Sequence, residues 1–77
     1  MPEQTHTEDP FQLLLEEVSQ LDQRVMKLEK ELKDNLHMPV HMGNLMKIQL
    51  SIMKCYQQVL GARVVMETEN RIKQSMQ

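Results

Sequence analysis

Few side chains in this sequence are placed to do chemistry. His37 and His41 are each followed by a methionine, in the run His37-Met38-Pro39-Val40-His41-Met42, so imidazole and thioether groups of the kind that hold copper lie close together. Pro39 stands between the two histidines and interrupts the helical i,i+4 face that would aim both rings at one ion. They read as exposed turn histidines, with a pH-sensitive contact as their other use. Cys55 is the single cysteine, so no internal disulfide can form. It has no fixed base or orienting partner that would make it a nucleophile. Its place on an apolar row suits a small buried hydrophobe, or an occasional crosslink between chains. The carboxylates fall into helix-surface pairs, Lys27 with Glu31, Glu29 with Lys33 and Lys30 with Asp34. No Gly-rich phosphate loop is present. The expectation is a protein that is not an enzyme and that needs neither cofactor nor metal.

The elements carrying these residues are announced by two heptad rows. Phe11, Leu14, Val18, Leu21, Val25, Leu28 and Leu32 recur at alternating spacings of three and four, and Leu45, Ile48, Ile52, Cys55, Val59, Ala62 and Met66 repeat the pattern. Such a row on a helix is suited to packing against another helix. The spacing predicts an all-α chain folded as a two-helix antiparallel hairpin: a polar, disordered tail over 1–9, a first helix over 10–36, a Pro/Gly-containing turn over 37–43 and a second helix over 44–77. Asp9 before Pro10, with Gln12 able to reach back, starts the first helix, and Asn44 caps the second. A second row, Met46, Leu50, Met53, Leu60 and Val64, widens the apolar arc of the second helix beyond what one helix can cover.

At 77 residues, two helices only partly hide each other's apolar faces, so the hairpin is marginal alone and completed by partner chains. The partners are expected to be proteins, either copies of this chain or others. The side chains expected to bind them are Leu14, Val18, Leu21, Val25, Leu28, Leu32, Leu45, Ile48, Ile52, Cys55, Val59 and Val64. A net charge of −2 provides no basic field for nucleic acid. The longest apolar runs, Leu13 to Leu15 and Val64 to Met66, are far too short to span a bilayer, and no cleavable signal is legible.

Residues 38–77 carry a further pattern. A Pro-containing turn leads to Leu45 and Gln49 at a helix start, then to Tyr56, to the small-basic-aliphatic step Ala62-Arg63-Val64-Val65, and to Ile72, Met76 and Gln77 at the end. This half of the chain resembles the C-terminal helical region of bacterial type III secretion inner-rod proteins, and related needle subunits share the pattern. The resemblance implies a structural subunit that self-associates through amphipathic helices, located in a secretion apparatus of the cell envelope and exported without a cleavable signal. The unbroken heptad of the first helix also looks like the small hairpin co-chaperones of the same apparatus, which implies a cytoplasmic alternative that shields a partner's amphipathic helix. An unrelated coiled-coil subunit is the third expectation. The polar ending after Met66 leans toward the chaperone.

Overall fold

The computed structural model describes residues 9–76; the expected tail over Met1–Glu8 and the terminal Gln77 lie outside them. Two helices make up the fold, α1 (Pro10–Asp34) and α2 (Val40–Ser75). They pack antiparallel as a hairpin, and among the described residues there is no strand.

Local chemistry sets each boundary. Asp9 holds an extended backbone, and its carboxylate accepts the Phe11 N–H at 3.0 Å, satisfying one orphan amide of the first turn. Pro10 follows at the first helical position, where its missing N–H costs nothing. No bond from Gln12 completes the cap; Asp9 acts alone. At the other end α1 stops at Asp34, two residues before the expected Leu36. Asn35 leaves the helix with φ −92° and ψ 87°. Its side-chain oxygen accepts the His37 N–H at 3.2 Å, an Asx-type bond that competes with another helical turn.

The turn is shorter than its sequence predicts, and α2 starts at Val40. Pro39 is the residue before the first turn, with φ −57° and ψ 145°, and its carbonyl accepts the Gly43 N–H at 2.9 Å. A proline in that position loses no helical bond, so it starts the helix. Gly43 and Asn44 therefore lie inside α2, and Asn44 is not its cap. Gly43 has no left-handed backbone.

The core is small. Leu14, Leu21 and Val25 of α1 bury themselves against Leu60 of α2, with Phe11, Val18, Leu50, Met53 and Val64 packed around them. The α1 members keep to the predicted heptad row. On α2 the half-buried and buried positions are Gly43, Met46, Leu50, Met53, Gln57, Leu60, Val64, Glu67 and Arg71, again alternating by three and four. The row that faces α1 is thus the one containing Met46, Leu50, Met53, Leu60 and Val64, not the one beginning at Leu45. This corrects the expected seam.

Polar pairs across the two helices hold that rotation. Glu29 meets Lys54 at 2.8 Å, Asp22 accepts from the Gln57 amide at 2.8 Å, and the Tyr56 hydroxyl donates to Glu17. All three flank or complete the seam, where side chains of antiparallel helices are expected to meet. Glu29 is drawn to Lys54 rather than to Lys33, and Glu31 accepts from Asn35. Lys30 and Asp34 form the expected i,i+4 pair at 3.0 Å.

Candidate assembly interface

With Met46, Leu50, Met53, Leu60 and Val64 committed to α1, the other apolar row of α2 is left over. Leu45 is 60% exposed, Ile48 58%, Ile52 63% and Val59 52%, and Met66 is 67% exposed. Cys55 is exposed as well. The expectation that Cys55 is a buried seam residue is corrected by the rotation of α2, which turns its thiol to solvent. In heptad terms the packed row occupies positions a and d, and this row occupies c and f, about 150° around the helix axis. One helix cannot cover two rows so far apart.

The expected partner-binding residues therefore divide. Leu14, Leu21 and Val25 are buried within the hairpin; Val18, Leu28 and Leu32 are half-buried on the same face; Val64, also half-buried, packs against the core from α2. These are internal contacts, except where Leu28 and Leu32 keep part of their surface in water. Leu45, Ile48, Ile52, Cys55 and Val59 stand on the opposite side and are available to another molecule.

The chemical character of that outward face is uniform from Leu45 to Val59. Its flanking positions are Asn44, Ser51 and Gln58 on one side and Gln49 and Tyr56 on the other, all uncharged, until Arg63 flanks Ala62 and Met66. Lys47 and Lys54 project from the side nearer α1, and Lys54 is bound to Glu29. The corresponding outward face of α1 is different: Glu16, Gln20, Gln23, Lys27 and Lys30 are all exposed there, as on a solvated helix surface. The hairpin has one long apolar back, on α2 alone.

The open end is fastened by a cluster that spacing alone did not reveal. Arg71 bonds the Asp9 carboxylate at 2.5 Å, lies with its guanidinium carbon 4.6 Å from the centre of the Phe11 ring, and has Glu67 at 3.6 Å. The cap bond from Phe11, and after it the bond from Arg71, hold the Asp9 carboxyl below its ordinary pKa. The bond to Glu17 holds the Tyr56 phenol above its ordinary value. The Asp9–Arg71 link could have been suspected from antiparallel register, which brings the first residues of α1 to the end of α2. His37 and His41 are both exposed, and among the described residues no three of His, Cys, Asp and Glu gather as a metal site. No helix of the described residues is long and apolar enough to cross a membrane.

Residues 8–66 match the Sequestin family. The matched stretch contains the whole α1 seam and both rows of α2 as far as Met66, and it stops where α2 turns polar. No curated protein and no solved structure matches the chain significantly.

Proposed function

The chain belongs to the Sequestin family, and we propose that it is a structural assembly subunit that binds a helix of another molecule along the back of α2. The observation that carries this reading is the exposed row Leu45, Ile48, Ile52, Cys55, Val59 and Met66 on a helix whose other face is already occupied. An apolar stripe of this length on a small hairpin marks an interaction surface. Recognition is by helix packing, with Ile48, Ile52 and Val59 as the central anchors.

The likeness of residues 38–77 to inner-rod and needle subunits extends the proposal to a type III secretion apparatus in a bacterial cell envelope. Within it the row would pack against neighbouring subunits. A co-chaperone or adaptor hairpin that shields a partner's amphipathic helix, working in the cytoplasm, is the second reading. A specific observation favours it: the hairpin offers one long apolar face, whereas an open filament is built from two different, complementary patches on each subunit.

The test is site-specific photo-crosslinking in cells. A photoreactive residue at Ile48 is expected to capture a protein, and the same residue at Gln23, on the polar back of α1, is expected to capture none. Equal yields from both sites, or none from Ile48, would overturn the proposal.

A further inference from the structure

We infer that the occupant of the α2 back is a second copy of the chain, lying antiparallel, with the two-fold axis between residues 53 and 54. This rests on the reading of that face as a helix-binding surface and names what binds there. The first support is that it sets no like charges against one another. Flanking charges on a helix seam select a complementary partner. The flanks Asn44, Ser51, Gln58, Gln49 and Tyr56 carry none, and the one charged flank, Arg63, falls beside the uncharged Met42 and Asn44 of an antiparallel copy, so the face can lie on itself without setting like charges together.

The end of the row selects the direction. Beyond Met66 the same c and f positions are Glu69 and Lys73. Two parallel copies in register would stack Glu69 on Glu69 and Lys73 on Lys73 in successive layers, which is repulsive. In antiparallel order the layers pair a c position with an f position of the other copy. Leu45 then meets Ala62, Ile48 meets Val59 and Ile52 meets Cys55, each pair occurring twice, for about six wholly apolar layers. Glu69 and Lys73 fall past the start of the second copy's α2 and remain in water. Sliding the copies by one heptad would set Leu45 against Glu69, so this register is preferred.

The distribution of charge agrees in sign. The half of the hairpin next to the turn, residues 24–54, holds six basic and three acidic side chains, a net +3; the open half, residues 9–23 and 55–76, holds six acidic and three basic, a net −3. Antiparallel copies set each half beside its opposite. Most of these charges lie more than the Debye length of about 8 Å from the second copy at physiological salt, so the attraction is felt at low ionic strength.

Sedimentation equilibrium of the full chain over a hundredfold concentration range tests the inference. The expected result is a reversible dimer that tightens at low salt. Ile52→Glu is expected to weaken it at least about 100-fold while the circular dichroism of the hairpin is unchanged, since Ile52 is 63% exposed there. The register puts the two Cys55 Cα atoms roughly 6–7.5 Å apart, from axes about 8–10 Å apart, Cα atoms about 2.3 Å inward of each axis and an axial offset of three residues, which is too near the two-fold axis for Cys55 to report direction. Direction is read instead from Ala62→Cys in a Cys55→Ser chain: the antiparallel register sets its two copies about 25 Å apart, 17 residues at 1.5 Å, so mild oxidation should not link them, because a disulfide needs Cα atoms within about 7 Å. Rapid disulfide formation by the Ala62→Cys chain would show parallel copies and overturn the inference, as would a dimer indifferent to Ile52→Glu. A monomer at every concentration would also overturn it; if Ile48 still captures a protein in cells, only the choice of occupant has failed, and if it captures none the helix-binding reading fails too.

Discussion

Ile52 and Met53 are adjacent in sequence and belong to different interfaces: Met53 packs against the core shared with α1, while Ile52 keeps 63% of its surface in water. The same division holds at Val59 and Leu60, where Leu60 is fully buried and Val59 is 52% exposed. α2 is a helix with two apolar faces, one used to make the hairpin and one left over.

Substitution separates the two faces. Leu60→Ala removes a side chain with no exposed surface and should cost about 2–5 kcal/mol, enough to unfold a hairpin this small. Ile52→Ala should change the stability of the isolated hairpin by no more than about 0.5 kcal/mol. Urea denaturation followed by circular dichroism at low micromolar concentration reads both. Equal losses would mean that the two rows have been assigned to the wrong faces.

Gln57 occupies an a position of the packed row and spends it on a bond to Asp22 at 2.8 Å. A half-buried leucine there should gain about 1–1.5 kcal/mol of apolar burial against about 0.5–1 kcal/mol for the lost bond. Gln57→Leu is therefore expected to raise the urea midpoint modestly, with looser specification of register, as when a polar seam residue is removed. A fall in the midpoint would show that the polar pair outweighs the apolar contact.

Both glycines lie inside α2 with ordinary helical backbone. A Cβ on Gly61 would meet nothing within 4 Å, and one on Gly43 would stand 3.7 Å from the Met38 Sδ, an ordinary contact. Gly61→Ala should stabilise the hairpin by about 1 kcal/mol, and Gly43→Ala by about 0.5–1 kcal/mol, through helix propensity and a less free unfolded chain. Thermal or urea midpoints check both. Destabilisation at Gly61 would mean that another chain approaches the backbone there.

The open end should respond to acid. Asp9 has a folded-state pKa lowered by the Phe11 N–H and by Arg71, so its contribution is present above the ordinary carboxylate value and is lost as pH falls through the lower, folded one. The Phe11 amide resonance, followed by NMR through an acid titration, is expected to report a midpoint below that of an ordinary aspartate. Arg71→Gln should move this midpoint upward. An unchanged midpoint would show that the Arg71 contact does not persist in solution.

How much of this is legible in the sequence differs between the helices. On α1 one row of Phe, Leu and Val stands out from polar surroundings, and it is the row that packs. On α2 the two rows obey the same three-four spacing, and period alone cannot choose between them. The packed row also looks weaker, because Gln57, Glu67 and Arg71 interrupt it. The deciding signal is charge rather than hydropathy: Lys54 flanks the packed row and finds Glu29, while from Leu45 to Val59 the outward row has only uncharged flanks and nothing to answer the charged edges of α1. Pro39 and Gly43 both count as helix breakers by residue type, yet α2 starts at Val40, so the turn is shorter than composition suggests. Proline just before a first turn is a starter, and a glycine four residues later closes that turn through its N–H.

The reactivity of the Cys55 thiol toward an aromatic disulfide reagent, measured against protein concentration, tests the covered α2 back most directly. Cys55 is exposed in the lone hairpin, so it should react at nearly the rate of a free peptide thiol when dilute. As copies associate, that rate should fall at least about tenfold, because an apolar layer closes over the sulfur. A rate that stays high and flat up to concentrations where the chain has associated would contradict the account, since association would then use some other face.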